Sequence, residues 1–497
     1  LALLLQPLDL PGDREVRLPP AQVGRGSRLR PARNRFDATS GRKQGADEMG
    51  ADEAGGAGDE DGYGLQGSAI IRQSGPANPC DTLPTCMRVG ALVGRGRRLL
   101  ERLSRRIRRV ESRLVTMAPP PGTGKPATEP VGRALLSYIL DPYLLAPGRP
   151  EPHSHTHFWE SREIGQILND LGFELDVVHW TNRTFTPQHP YDLFVDVRLN
   201  LERLAPALGP ACLKVMHIET AHCGFYNPVQ HRHLAELEAR RGIRLAPYKL
   251  LEHNRAIEHA DAATILGNRA TQATYAHAGK PLWPVPISQP FLYPWPDGKD
   301  FAAARRRFLW FGSGGLLHKG LDRVLEVFAA LPDLQLTVLG PVDREPEFAR
   351  AFHRELYATA NIHTRGWIDV ASAEFLAIAH RHLAMVYPSC SEGQNGGAVT
   401  CMHAGLIPVL SRESGVDLDP EYGVELQFST HEEIRDRVLE LARRPPDELA
   451  AKSRSAWEWV RAHHTRERFS LAYRQSLLEI LERFRPALAG KIRERGA

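Results

Sequence analysis

Cysteine is scarce in this sequence: six in 497 residues, at positions 80, 86, 212, 223, 390 and 401. No two form a CxxC pair or a Cys/His finger spacing, which argues against a disulfide framework or a zinc finger and for a reducing compartment. Long apolar runs are missing as well. None reaches the roughly 18 residues that a membrane span needs. The run Leu1–Leu5 is too short for the apolar part of a secretion signal and is followed by charges. Charge of one sign is not in excess: 63 basic against 59 acidic residues leave +4, too little over this length to argue for nucleic acid. A cytoplasmic location is therefore expected. The chain opens on Leu1 rather than Met and reads as a fragment or a mis-called start.

What is present changes character near residue 130. Residues 1–86 hold Gly, Pro, Arg and Asp without periodicity, including the acidic tract "GADEMGADEAGGAGDED" (Gly45 to Asp61). Such a tract cannot bury enough apolar surface to offset its ordering entropy, so the segment reads as a disordered extension or as no part of the natural protein. From Met87 to Val115, Leu92, Leu99, Leu103, Ile107, Val110 and Leu114 recur at helical spacing, among ten arginines and two glutamates. This is a basic amphipathic helix, suited either to peripheral contact with the inner face of an anionic membrane or to pairing with itself or the body of the protein. Residues 87–132 thus comprise this helix and a Pro-rich linker. The linker's "PPPGTGKPA" is a decoy for an ATPase phosphate loop. Pro119 stands where that loop needs Gly, and Pro126 where it needs a hydroxyl for magnesium.

From Arg133 apolar runs of strand length alternate with helical patterns. "ALLSYIL", "FELDVVHW", "YDLFVDV", "CLKVMHI" and "AATIL" read as strands. "SREIGQILNDLG" reads as a helix capped by Ser161 and stopped by Gly172, and "YKLLEHNRAIEHA" as another helix. A second series starts near Arg305 with "RRFLWFGS", "LQLTVLG", "LAMVYPS" and "GLIPVLS" as strands, and "PEFARAFHRELYATA" as one of several helices. The expected fold is α/β, with two doubly wound domains at 133–298 and 299–470 facing each other across a cleft. Their junction falls in Trp283 to Asp300, and a final helix over 471–497 crosses back to the first domain.

In open parallel sheets, ligands bind beyond the carboxyl ends of strands. Two loops of the second domain have phosphate logic there. Gly312, Gly314 and Gly315 allow backbone to approach an anion, and Lys319 opens the following helix, adding its charge to the helix N-terminus. In "SEGQNGGAVTCMHAGLIPV" (Ser391 to Val409), Gly396 and Gly397 lead into a helix, and Glu392 is an acceptor for sugar hydroxyls.

These two segments, with "NIHTRGWID" (Asn361 to Asp369), resemble the nucleotide-binding domain of GT-B glycosyltransferases, in particular the retaining family 4. The match is close over roughly 300–480 and architectural over 133–298. The resemblance implies a nucleotide-sugar donor domain after residue 299 and an acceptor domain before it. It implies Glu392 on the donor sugar, Lys319 on the diphosphate, amides from Gly314, Gly315, Gly396 and Gly397, and Gly366 and Trp367 at the base. Three departures stand out. Thr400 replaces a second Glu that grips the ribose, and a Thr hydroxyl there is expected to make one bond where a carboxylate chelates two. Ser313 replaces an Arg. "HTHFWES" replaces a Gly-Gly loop after the first strand.

The histidines remain to be weighed. His153, His155 and His157 alternate in a loop. With His222 they could be imagined around a metal, but no carboxylate completes a pattern, and they read instead as a polar loop end or part of the acceptor cleft. His217, at a strand end, is the stronger cleft candidate by the resemblance, against a core histidine; Glu219 and His222 are weaker ones. The reading is a glycosyltransferase with no cofactor and no metal requirement. Its donor is a nucleotide sugar and its acceptor a carbohydrate, lipid or small molecule. The alternatives are an inactive scaffold binding glycan or protein, and a sugar-nucleotide epimerase.

Overall fold

A computed structural model describes residues 112–120, 129–146 and 148–496. The disordered reading of 1–86, the helical reading of 87–111 and most of the linker lie outside them. Both sheets belong to one compact unit.

The first sheet has seven strands in the order β1-β3-β2-β4-β5-β6-β7. They are β1 Leu114–Met117, β2 Gly132–Tyr138, β3 Phe173–His179, β4 Leu193–Asp196, β5 Leu213–Ile218, β6 Ala262–Leu266 and β7 Leu282–Val285. All pair in parallel except β1, which runs antiparallel to β3. The connecting helices are α1 Thr156–Asp170, α2 Asn200–Leu208, α3 Cys223–Arg241, α4 Ala256–His259 and α5 Arg269–Ala273. The second sheet has six strands in the order β10-β9-β8-β11-β12-β13. These are β8 Arg307–Phe311, β9 Gln335–Leu339, β10 Ile362–Gly366, β11 Ala384–Tyr387, β12 Ile407–Ser411 and β13 Val424–Leu426, all parallel. Its helices are α6 Phe301–Ala304, α7 Leu321–Ala329, α8 Pro346–Ala351, α9 His353–Tyr357, α10 Ala373–Arg381, α11 Gly396–His403, α12 His431–Arg443 and α13 Pro446–His463. Then α14 Arg466–Phe484 packs on α1, β6 and β7 of the first sheet, and α15 Pro486–Gly496 follows it.

Several local expectations are corrected. Leu114 and Val115 are strand, not helix: alternating exposure and the Thr116 hydroxyl bonded to Asp176 fix them beside β3. The first long helix begins at Thr156, with the His155 ring accepting from the His157 amide. Ser161 lies inside that helix, buried, donating to the Ile139 carbonyl at 2.7 Å. Of Tyr248 to Ala260 only Ala256–His259 is helical, because Asn227 takes both the N–H and the C=O of Leu251 at 2.9 Å. Cys223–Arg241 is a 19-residue helix capped by His222 and ended by Gly242 in the left-handed region at φ 68°. Residues 346–360 form two short helices broken at Phe352. Trp283 belongs to β7 rather than to a bare junction, and the closing helix starts at Arg466 and breaks before Pro486.

α3 joins the two domains through charge. Asp322 of α7 is fully buried and takes His233 Nε2 at 3.2 Å and Arg240 at 2.8 Å. Arg240 also meets Glu326 at 2.8 Å, Arg241 meets Glu355 at 3.0 Å, and Arg323 reaches back to Glu236 at 2.6 Å. Burial alone would raise the Asp322 carboxyl, but His233, Arg323 and Arg240 outweigh it and hold it at about 2. Removing one member of such a group leaves charges buried without a partner, so Asp322→Ala should cost about 3–5 kcal/mol of stability. The folded carboxyl titrates below its unfolded value. Its contribution is therefore complete above about pH 4 and fades as pH falls towards 2. Chemical denaturation across that range should show this acid step in the parent and not in the variant.

Candidate active site

The loops at the carboxyl ends of β2, β5, β8 and β11 meet between the two sheets. Gly393 is seated directly on the Glu219 carbonyl of the first domain. Thr271 donates to the Gly393 carbonyl at 3.0 Å, and Ile287 donates its amide to Gln394 at 2.6 Å. The N-terminus of α1 faces that of α11: a Cβ at Gly396 would lie 3.9 Å from the Thr156 methyl.

Glu392 follows β11. Its Oε1 accepts from the hydroxyls of Tyr387 at 2.8 Å and Ser389 at 3.2 Å. Both bonds fall on one oxygen, so among the described residues Oε2 has no protein donor and is open to a ligand hydroxyl. Lys319 stands just before Gly320, the cap of α7, rather than opening the helix. Its Nζ donates to Ser313 Oγ at 2.6 Å, so the serine aims the ammonium. His318 ties the two loops together, donating from Nε2 to the Ser391 carbonyl at 2.6 Å while Nδ1 faces Cys390 Sγ at 3.1 Å. Burial lowers its pKa to about 4 and keeps it neutral.

The glycines divide into open and committed ones. Asn395 caps α11 by accepting from the Ala398 amide at 2.6 Å. The first amides of that helix, from Gly396 and Gly397, have no intrahelical acceptor, and the end of the helix that carries them faces the N-terminus of α1. Gly315 is different: its amide donates to Glu345 at 2.5 Å, and Leu316 donates to the same carboxylate at 3.0 Å. That part of the expected phosphate cradle is filled by a protein anion. Tyr248 of the first domain covers Gly314. Gly366 ends β10 with its carbonyl accepting from Gly340 at 2.9 Å, and Trp367 beside it is 59% exposed, presenting an open ring face.

Two expected site residues face elsewhere. Thr400 is buried in α11, donating back to the Gly396 carbonyl at 2.8 Å and accepting from Gln289 at 3.1 Å. A helical Thr readily bonds to its i−4 carbonyl, and here this removes the hydroxyl from any ribose. His217 is a core histidine. Its Nδ1 meets Thr264 at 2.9 Å and its ring lies among Tyr138, Phe469 and Tyr473, under α14. Burial lowers it to about 4. Of the weaker candidates, His222 caps α3, while Glu219 lies at the cleft and binds His157 at 3.0 Å. His153 reaches across to Asp369 of the second domain at 2.9 Å. The three alternating histidines thus serve three separate contacts. Among the described residues no cluster of three His, Cys, Asp or Glu is arranged to hold a metal ion.

Neither a protein-family model nor a curated protein matches the sequence. Solved structures do. A sucrose-phosphate synthase from Thermosynechococcus elongatus superposes with TM-score 0.51 at 14% identity, covering 72% of this chain and 100% of that one. Anabaena HepE, solved with UDP and glucose, gives 0.43 at 11% identity, covering 71% and 100%. TarM gives 0.42 at 12% identity over 59% of this chain and 54% of that one, so the match spans about half of TarM's length. The likeness is one of fold, and that fold is GT-B: two doubly wound domains over a shared cleft.

Proposed function

We propose that this chain is a retaining glycosyltransferase that moves a sugar from a nucleotide-sugar donor to an acceptor hydroxyl. The observation that carries the reading is the convergence, at one cleft, of an open carboxylate oxygen on Glu392, the open amides of α11 and the aimed ammonium of Lys319. Glu392 Oε2 holds sugar hydroxyls. Lys319, Gly396 and Gly397 take the diphosphate, and Gly366 with Trp367 receives the base. The acceptor, a carbohydrate, lipid or small molecule, enters from the first domain. The breaking bond joins the anomeric carbon to the β-phosphate oxygen, and its electron pair stays on that oxygen. The acceptor oxygen bonds to the same carbon, and its proton passes to the departing phosphate. The transition state is oxocarbenium-like, and stabilising the leaving anion is the main task. The reading requires no metal and places the work in the cytoplasm, with peripheral membrane contact through the basic stretch of 87–115 that precedes β1. No helix among the described residues is long and apolar enough to cross a membrane.

The scaffold reading draws on Thr400, whose hydroxyl is spent inside α11. The Ser313–Lys319 bond speaks against a decayed site. The test is calorimetry and mass spectrometry with UDP-, GDP- and ADP-sugars, with and without candidate acceptors. Product only with acceptor supports transfer. Product without acceptor indicates epimerisation, and no donor binding at millimolar concentration indicates a scaffold.

A further inference from the structure

A built cluster on the first domain centres on Glu219. Glu219 is sealed, with its side chain 5% exposed. Its Oε1 accepts from the Tyr138 hydroxyl and from His157 Nε2 at 3.0 Å, and Arg198 approaches Oε2 at 3.7 Å. His157 is the member that reaches outward, with its side chain 26% exposed. It sits in the first turn of α1, one residue after the Thr156 that faces Gly396, and Glu219 itself lies under Gly393. The pair is therefore placed on the wall opposite Glu392 and the open end of α11. Arg198 is the other cation nearby, but its guanidinium lies over Trp180 at 5.1 Å.

The need for such a group follows from what the second domain lacks. Between Gly312 and Gly320, where His318 is held neutral, Lys319 is the one side-chain cation of that domain's glycine-rich loop. We propose that His157 is the first domain's cation for the leaving diphosphate, and that Glu219 is the residue that positions it. The inference rests on the glycosyl-transfer reading. As the anomeric C–O bond breaks, negative charge grows on the phosphate, between the N-termini of α1 and α11. An imidazolium there stabilises the transition state more than the ground state, which is what accelerates a reaction.

The electrostatics agree. Burial works against protonating His157, but Glu219, and to a lesser extent Glu160, outweighs it and lifts its pKa above the ordinary value. The Glu219 carboxyl, which burial would raise, is held well below its usual range by His157, Arg198 and His217. The charged or titratable groups facing the imidazole are Tyr138, His155, Glu160, Arg198, His217 and Glu219.

The experiment compares the full chain with His157→Gln, His157→Lys and Glu219→Gln. The readouts are kcat against pH with the donor found active in the panel, UDP binding by calorimetry, and thermal unfolding. His157→Gln should lower kcat by about a hundredfold. The parent needs the imidazolium, so its rate should fall as pH rises through the lifted pKa. In Glu219→Gln that alkaline limb should move to lower pH, because the carboxylate that lifts the His157 pKa is gone. His157→Lys should retain rate at alkaline pH, where the parent loses it. An alkaline limb unmoved in Glu219→Gln, or a His157→Gln rate within about threefold of the parent, overturns the proposal. If His157→Gln does not fold, the Glu219→Gln profile decides. Should these variants behave as the parent while Lys319→Ala is inactive, the proposal fails and the transferase reading stands. A parent inert with every donor removes both.

Discussion

Lys319→Ala should lower the rate of sugar transfer, and of donor hydrolysis, by about a hundred- to a thousandfold. The ammonium is the charge nearest the expected diphosphate on the second domain. Removing one preorganised donor to a developing oxyanion typically costs that much. The fold should be untouched. Nζ makes a single bond, to the exposed Ser313, while the backbone of Lys319 keeps its bonds to Gly315 and Trp310. Lys319 is half-buried and its side chain holds no other partner among the described residues, so the change should shift stability by about 1 kcal/mol or less. Glu392→Gln should also abolish most activity, because the amide keeps the shape but loses the charge on Oε2. Its bonds from Tyr387 and Ser389 survive on Oε1. The double variant should be little worse than Lys319→Ala, since both act on one transition state. Steady-state kinetics with thermal unfolding decides. Parent-like rates in both single variants would show that the donor does not bind here.

The parts of the molecule that were legible in the sequence are those whose signal is local. Strands such as β2 and β6 are mostly apolar runs of strand length between helical patterns, and the loops bearing Lys319 and Glu392 announce themselves by glycine beside a strand end. What was hidden depends on partners far along the chain. α3 has a thin apolar stripe. Its buried face includes Asn227, which needs Leu251, and His233, for which α7, some ninety residues on, brings Asp322. β1 follows a strongly helical, arginine-rich pattern and becomes a strand through pairing with β3. His217 could not be oriented from sequence at all. Every residue of β5 is buried, so no alternation tells which face meets the cleft and which meets α14. The helix after Gly396 and Gly397 was legible, but the Gln289 that engages its Thr400 comes from the interdomain segment. Conversely, Glu219 and His157 were seen singly. Their meeting needs β2 and β5 to lie in one sheet with α1 starting earlier than Ser161.

Gly393→Ala should be among the most damaging small changes available. A Cβ at this position would fall on the Glu219 carbonyl and lie 3.0 Å from the Thr220 Cα, and neither backbone atom can rotate away. On the other side, Gly415 presses on the Gly393 carbonyl, which also accepts from Thr271 at 3.0 Å. The added methyl can be housed only by moving the Glu392 loop or by parting the domains. Either displaces Glu392 from its partners and Glu219 from beneath the loop. A misplacement of about 1 Å can cost on the order of a hundredfold in rate, and forcing an extra carbon into a packed contact about 1–3 kcal/mol. The variant should therefore show a much lower kcat, a lower Tm and, by small-angle X-ray scattering, a larger radius of gyration. Gly490→Ala supplies the contrast. That glycine lies in α15, where a Cβ meets nothing within 4 Å, so the change should be neutral or gain up to about 1 kcal/mol. If Gly393→Ala kept the parent's scattering profile and rate, the close seating of Glu392's loop on the first domain would not be a condition of activity.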